Sequence, residues 1–468
     1  MSVNSNSGGK VYRQGITIIL LVLIYIFLSS LPSPEGLSIA GQKALALMTV
    51  AVLSWVLEVV PLAVSALFFF ILQPILGIAT FDEAINGFAQ PIFFFAIGSF
   101  LIANALTQSG ISERISLKMA LISKGNPEKM LFIFMFSSAI MSSFLADVPV
   151  VAVMFPIGLA ILKGSGCTPK KSNFGKALMI GLGLSALIGG IGTPSGSSAN
   201  ILTMDLLNNM AGIQITYLQW TLIGFPVVLF LIPIVWKVLC IVFPPEIDTL
   251  TGLDEVQSRY NALHKLTKKE IKFLIITVIL LFFWIKGILP IPITSLLFGI
   301  LFFFPGIDVL TWENSRNKIG WEVIILTSVC ASLGMTIWKT EAASWIGSIL
   351  SNMVSGLPAI AVLFIICLFV GFIHLLIPIN PALVSIMIPI AISIAEDMGI
   401  NPSFFVIPIG FMISCACLLP LDAVTLIPYA GGYFKMQDML KPGVFVLVFW
   451  VVLVVVAMYT IAHPLGLT

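Results

Sequence analysis

Residues 144–161 read FLADVPVVAVMFPIGLAI, and residues 377–394 read IPINPALVSIMIPIAISI. Both are apolar runs with proline near the start (Pro149; Pro378 and Pro381) and another further along (Pro156; Pro389), and the first holds a single charged residue, Asp147. Each sits inside a longer apolar block, 130–162 and 357–395. A helix that crosses a bilayer needs about 20 apolar residues, so neither block is long enough for two full crossings, and each is broken in the middle. The breaks fall at LADVP (145–149) and IPINP (377–381). Non-helical backbone at membrane depth survives only where protein buries it or a cavity receives it. Two broken hairpins within an apolar chain are therefore expected to frame a site.

The remaining composition agrees. Of 468 residues, 59% are hydrophobic and 9% charged, against roughly 25% charged in soluble domains. The expected class is an all-α polytopic membrane protein. Apolar spans are expected near 15–31, 40–60, 61–78, 91–108, 173–208, 217–243, 270–287, 289–306, 321–338, 402–428 and 443–463. The first follows a polar start with Lys10 and Arg13 and is read as an uncleaved span with a cytoplasmic N-terminus. A net charge of +2 with no basic run argues against nucleic acid as a partner. The six cysteines lie mostly in apolar segments, no ligand spacing suggests zinc, and GTPSG (192–196) has its serine one place away from a nucleophile elbow. Enzymatic chemistry is not expected, and no cofactor beyond a coupling ion.

Charge orients the first hairpin. Arg114, Lys118, Lys124 and Lys129 precede it, and Lys163, Lys170 and Lys171 follow it. Short loops rich in Lys and Arg stay in the cytoplasm, so the hairpin is expected to leave and re-enter from that side. No Lys or Arg follows the second block for some forty residues, which suggests the opposite side. VAVMFPIGLAI (151–161) aligns with VSIMIPIAISI (384–394), and PIFFFAIGSFLIANALTQSG (91–110) has a looser counterpart in 322–341. Similar segments of opposite sidedness indicate inverted-topology repeats, with a substrate site where broken helices meet. The polar stretch 244–269, which contains His264, reads as an amphipathic cytoplasmic linker.

Two further breaks follow the hairpins: IGGIGTPSGSSAN (188–200) and CLLPLDAVTLIPYAGG (417–432). In the first, Gly192 and Gly196 with Ser195, Ser197 and Ser198 can present amide and hydroxyl donors at a half-helix N-terminus, a natural seat for an anion. A helix-packing surface of small residues is the alternative.

On these residues the chain resembles the divalent anion/sodium symporters (DASS), carriers of dicarboxylates, citrate or sulfate. WVLEVVPLAVSAL (55–67) is similar to that family's W-x-x-E-x-x-P signature, with Trp55, Glu58 and Pro61. Residues 87–115 match its next block, and 188–200 its glycine-rich helix break. The resemblance implies an elevator-type homodimer in a cell membrane, here a bacterial cytoplasmic membrane. It divides the chain into first-repeat scaffold helices and the start of a transport domain (1–110), a first hairpin and broken helix (111–210), linking scaffold helices (211–320), a second hairpin and broken helix (321–440) and a final span (441–468).

The family's Ser-Asn-Thr at each hairpin tip falls here on Ala146-Asp147-Val148 and Ile379-Asn380-Pro381, and its Thr-Pro-Pro-Asn run on Ala423-Val424-Thr425-Leu426. Carried over by position, substrate contacts fall on Asp147, Val148, Ser195, Gly196, Ser197, Ser198, Asn200, Asn380, Pro381, Val424 and Thr425. Coupling of Na+ or H+ falls on Asp147, Gly192, Gly196, Asn380 and Asp422, with Na+ at Asp147 and Asp422 as the metal option. One aspartate thus stands near each of two expected cation positions. An ionised aspartate at the bilayer centre costs at least about 2.5–3.5 kcal/mol on insertion scales, so Asp147 is read as a cation or proton residue, with a helix cap or a substrate contact as alternatives. His374 could relay protons or simply pack. Trp55 and Trp338 read as interfacial anchors. The function expected is secondary transport of a small anion, and a Na+/H+-type antiporter using the two aspartates is the rival.

Overall fold

The computed structural model describes residues 7–467 except 58, 252, 264 and 355. Glu58 and His264, singled out above, lie outside the described residues. No strand occurs among those described.

Helix ends follow local chemistry. The first half comprises α1 (Ser7–Ser30), α2 (Ile39–Val56), α3 (Leu62–Ile75), α4 (Phe81–Phe88), α5 (Pro91–Ser109), α6 (Ile111–Ile122), α7 (Pro127–Phe144), α8 (Asp147–Gly164), α9 (Asn173–Gly190), α10 (Ser198–Ala211) and α11 (Tyr217–Val242). Proline stands at the first turn of α5 and α7, where its missing N–H is no loss. Thr80 and Glu83 cap α4 reciprocally, as Thr216 and Gln219 cap α11. A linker helix, α12 (Leu253–Ala262), covers part of the expected amphipathic stretch. The second half comprises α13 (Lys268–Lys286), α14 (Ile291–Leu301), the one-turn α15 (Trp312–Ser315), α16 (Trp321–Lys339), α17 (Ala342–Met353), α18 (Ala359–Ile373), α19 (Asn380–Asp397), α20 (Ser403–Ile413), α21 (Ala423–Ala430) and α22 (Leu440–Ala457).

Among the described residues eight helices are long and apolar enough to cross a membrane, and α8 and α19 are two of them. The other arms, α7 and α18, are not among the eight, so neither hairpin holds two helices of that kind. The arms of the first are 18 residues each, and those of the second are 15 and 18. At 1.5 Å per residue an 18-residue arm is about 27 Å long, because helix continues past each apolar block into its polar flank.

Packing exchanges elements between the halves. Helix α5 lies along α14 of the second half, while α16 lies along α3 and α4 of the first. One apolar core joins α2 and α3 to α16 through Trp55, Phe69, Leu326 and Leu333. A larger one surrounds α9, which contacts α7, α8, α11 and α21 and is 89% buried.

Helix α6, between α5 and the first hairpin, is tied down by charge. Arg114 Nε lies 2.7 Å from Glu270 Oε1, and the glutamate side chain is 3% exposed. Arg114 also donates to the Leu263 carbonyl at 3.1 Å. Removing one partner of a buried pair strands the other in a medium that cannot solvate it. Arg114→Ala is therefore expected to lower stability by about 3 kcal/mol. Glu113→Gln, which breaks an exposed pair with Arg259, should change little. Thermal unfolding of both variants in detergent checks this.

Candidate functional site

The first hairpin turns within two residues, Leu145 and Ala146, both extended. Asp147 then opens α8, and its Oδ1 accepts the Val148 N–H at 2.8 Å. Its second carboxylate oxygen lies over Gly190 at the end of α9, 3.5 Å from where a Cβ there would stand. The second hairpin turns through residues 374–379, and Asn380 opens α19. Asn380 Oδ1 is buried and accepts no hydrogen bond.

The helix breaks close against these tips. After Gly190 the chain makes a short 3-10 turn over Pro194–Gly196, and Ser197 caps α10 with a long bond from the Ala199 N–H at 3.4 Å. Asn200 Nδ2 spans the break, donating to the carbonyls of Gly190 (2.7 Å) and Thr193 (2.9 Å). Thr193 Oγ1 donates to the Ser143 carbonyl, and its oxygen is 3.0 Å from Ser195 Oγ, itself 3.2 Å from the Tyr217 hydroxyl. The second break ends at Asp422, whose Oδ1 accepts the Val424 N–H at 2.8 Å and so caps α21.

Tips and breaks together border a cavity of about 250 Å³. Of the residues expected from sequence, Asp147, Val148, Ser197, Ser198, Asn380, Pro381, Asp422 and Val424 line it. Gly192, Ser195, Gly196, Asn200 and Thr425 do not. Their side chains and backbone are turned inward to hold the breaks: Ser195 toward Tyr217, Asn200 across its own break, Thr425 Oγ1 onto the Asp422 carbonyl at 3.0 Å. The two aspartates, expected near separate cation positions, border one cavity. Both carboxylates and Asn380 Oδ1 are hard oxygen donors, a set that suits H+ or Na+ better than a soft metal.

The sequence reading missed most of the wall. Trp55, expected as an interfacial anchor, is 1% exposed, lines the cavity and has an indole N–H without a partner. Leu62, Val323, Leu326, Leu421 and Leu426 are among the rest of it; as apolar residues in apolar segments they carry no sequence signal. Also missed was Asp205 in α10, which borders a second cavity of about 600 Å³ with Tyr217 and Lys286. A lone acid in an apolar run was its signal. His374 is buried, its Nε2 on the Ile413 carbonyl and outside the cavity wall. Among the described residues no group of three His, Cys, Asp or Glu is placed to hold a metal ion.

Known proteins share this chain's length and helices. A sodium-dependent dicarboxylate transporter of Staphylococcus saprophyticus is 25% identical over 99% of this chain and 95% of its own. One of Staphylococcus aureus strain USA300 is 24% identical, over 97% and 92%. An uncharacterized transporter of Haemophilus influenzae is 25% identical, over 92% and 94%. The crystal structure of the Alcanivorax borkumensis YdaH transporter, reported with an unusual topology, superposes with a TM-score of 0.54 at 13% identity, over 80% of this chain and 87% of that one. At that identity the likeness concerns the fold alone. The family description "Sodium:sulfate symporter transmembrane region" matches residues 13–468. The chain therefore belongs to this family, the divalent anion/sodium symporters, which are multi-pass membrane transporters and not enzymes.

Proposed function

We propose that the protein is a secondary active transporter that carries small anions across the cell membrane, coupled to Na+ or H+ or working by anion exchange. The observation that carries this reading is the convergence of two hairpin tips and two helix breaks on one cavity holding both buried aspartates. The relatives named as sodium-dependent dicarboxylate transporters support anionic substrates and Na+ as a coupling ion. An elevator mechanism is part of the proposal: the helices around α9 with both hairpins move as a transport domain against a scaffold, in a homodimer, with the N-terminus in the cytoplasm. The recurring order of helices from α5 to α10 and from α16 to α21 supports inverted repeats.

Electrostatics sets a condition on coupling. Two unit charges of like sign 4 Å apart repel by about 4 kcal/mol at an effective dielectric of 20. A dianion entering beside two ionised aspartates meets that repulsion more than once. A cation must therefore accompany the anion, as a proton on a carboxylate or as Na+ between the groups. The second reading, a Na+/H+-type antiporter, is favoured by the wall itself, which has no Lys, Arg or His among its described residues.

Thermal stabilisation of purified protein separates the two. The transporter reading expects succinate, malate, citrate or sulfate to raise the unfolding temperature. Stabilisation by Na+ or pH alone, with no anion effective, sinks it in favour of the antiporter. Within the transporter reading, Ser197→Ala should weaken apparent anion affinity roughly five-fold or more, the effect of one lost buried hydrogen bond of about 1–3 kcal/mol. An unchanged affinity in an uptake titration removes Ser197 from the site.

A further inference from the structure

We propose that the cavity takes a small zwitterion, a compound bearing both a protonated amine and an acidic group, in preference to a bare dianion. The inference rests on the reading that this cavity is the substrate site.

The acceptors come first. In Asp147 and Asp422 alike, Oδ1 is taken by a backbone N–H of the helix that the residue begins or caps, and both side chains line the cavity. Asn380 stands in the same wall, with its Oδ1 unpartnered but closed off from the cavity. Two carboxylates, with no basic residue among the described lining, match a primary ammonium, which has N–H donors and no acceptor. Donors share the wall. Ser197 and Ser198 stand at the start of the 14-residue α10, whose dipole favours a negative group. Trp55, 1% exposed, brings an indole N–H that meets no acceptor in the protein. A dianion answers the donors only and faces both carboxylates; a zwitterion answers both sets. Size narrows the class further. About 250 Å³ is below the usual range of roughly 300–1,000 Å³ for ligand pockets, which suits a short amino acid or aminosulfonate. The apolar remainder of the wall, Leu62, Val323, Leu326 and Leu426, contacts a carbon chain.

The test uses the full-length protein in two parallel series, one with choline and one with Na+ as the added cation. β-Alanine and taurine are the zwitterionic probes, succinate and sulfate the dianions, and NaCl the ion control. The expected result is a rise of about 5 °C in unfolding temperature with at least one zwitterion at saturation, and uptake of the same labelled compound into proteoliposomes. Asp422→Asn keeps the helix cap, since asparagine caps as well as aspartate, and should abolish that rise while the unliganded protein unfolds as before. Binding and uptake of succinate or sulfate, with neither zwitterion effective, overturns the inference and leaves the anion transporter standing. A response to Na+ alone overturns both readings, as does the absence of any shift and any uptake with all four compounds.

Discussion

Replacing Asp147 with asparagine is expected to reduce coupled transport at least about 100-fold while the protein folds and inserts normally. The substitution keeps shape and keeps an oxygen to accept the Val148 N–H. What it removes is the charge, and with it the ability to take up a proton or to balance a cation. Removing a buried charge relieves a desolvation cost, at least about 2.5–3.5 kcal/mol at the centre of a membrane helix. The variant should therefore unfold at the same temperature as the parent or higher. That pairing, lost transport with retained stability, separates a functional aspartate from one that merely caps α8. Uptake in proteoliposomes and thermal unfolding of the same preparation check it. A variant that transports with unchanged dependence on Na+ and pH retires the coupling role.

The second large effect concerns the first helix break. A Cβ on Gly196 would stand 2.4 Å from the Gly190 carbonyl oxygen and 2.8 Å from that of Ser142. Both are backbone atoms, so no side-chain rotation relieves the clash. Gly196→Ala is expected to destabilise by about 3 kcal/mol, the upper range for overpacking, and to abolish transport by pushing α10 away from the hairpin. Gly190→Ala is the matched comparison. Its Cβ would lie 3.5 Å from Asp147 Oδ2 and from the Gly196 carbonyl oxygen, ordinary contact distances. It should leave the unfolding temperature within about 2 °C, the effect of some 0.5 kcal/mol in a chain of this size or smaller. Because the added methyl touches the carboxylate, it should still slow transport. If both variants behave alike, the break is tolerant of side chains and the close approach at Gly196 does not govern the fold.

These contrasts indicate what the sequence carried. Asp147, Asn380 and their flanking prolines were readable because each contradicts its surroundings: a charge, an amide or a rigid ring has no reason to occur in an apolar run except at a break. The two helix breaks were readable for the same reason, through glycine and serine at 188–200 and through Asp422. The direction of each side chain at those breaks was not. Once a helix stops, its 3.6-residue period no longer assigns faces, and the 3-10 turn at Pro194–Gly196 aims Ser195 at Tyr217 while Ser197 and Ser198 reach the cavity. Nor could spacing reveal that Asp147 and Asp422, some 275 positions apart, share one cavity; that follows from α8, α9 and α21 packing together. The apolar wall was invisible in principle, since Leu62 or Leu326 differs in no way from its lipid-facing neighbours until the halves are assembled. The outer ends of the hairpin arms were not readable either, because hydropathy ends before the helix does.

The central claim is that the cavity holding both aspartates is where substrate and coupling cation meet. Its most direct test is uptake of labelled succinate and of labelled β-alanine into proteoliposomes, with Na+ and pH gradients imposed independently, for the parent protein and for Asp147→Asn. The account predicts that at least one compound accumulates in the parent, that an imposed cation gradient or internal unlabelled substrate drives it, and that the asparagine variant loses this drive. Equal, gradient-dependent accumulation by parent and variant would contradict it.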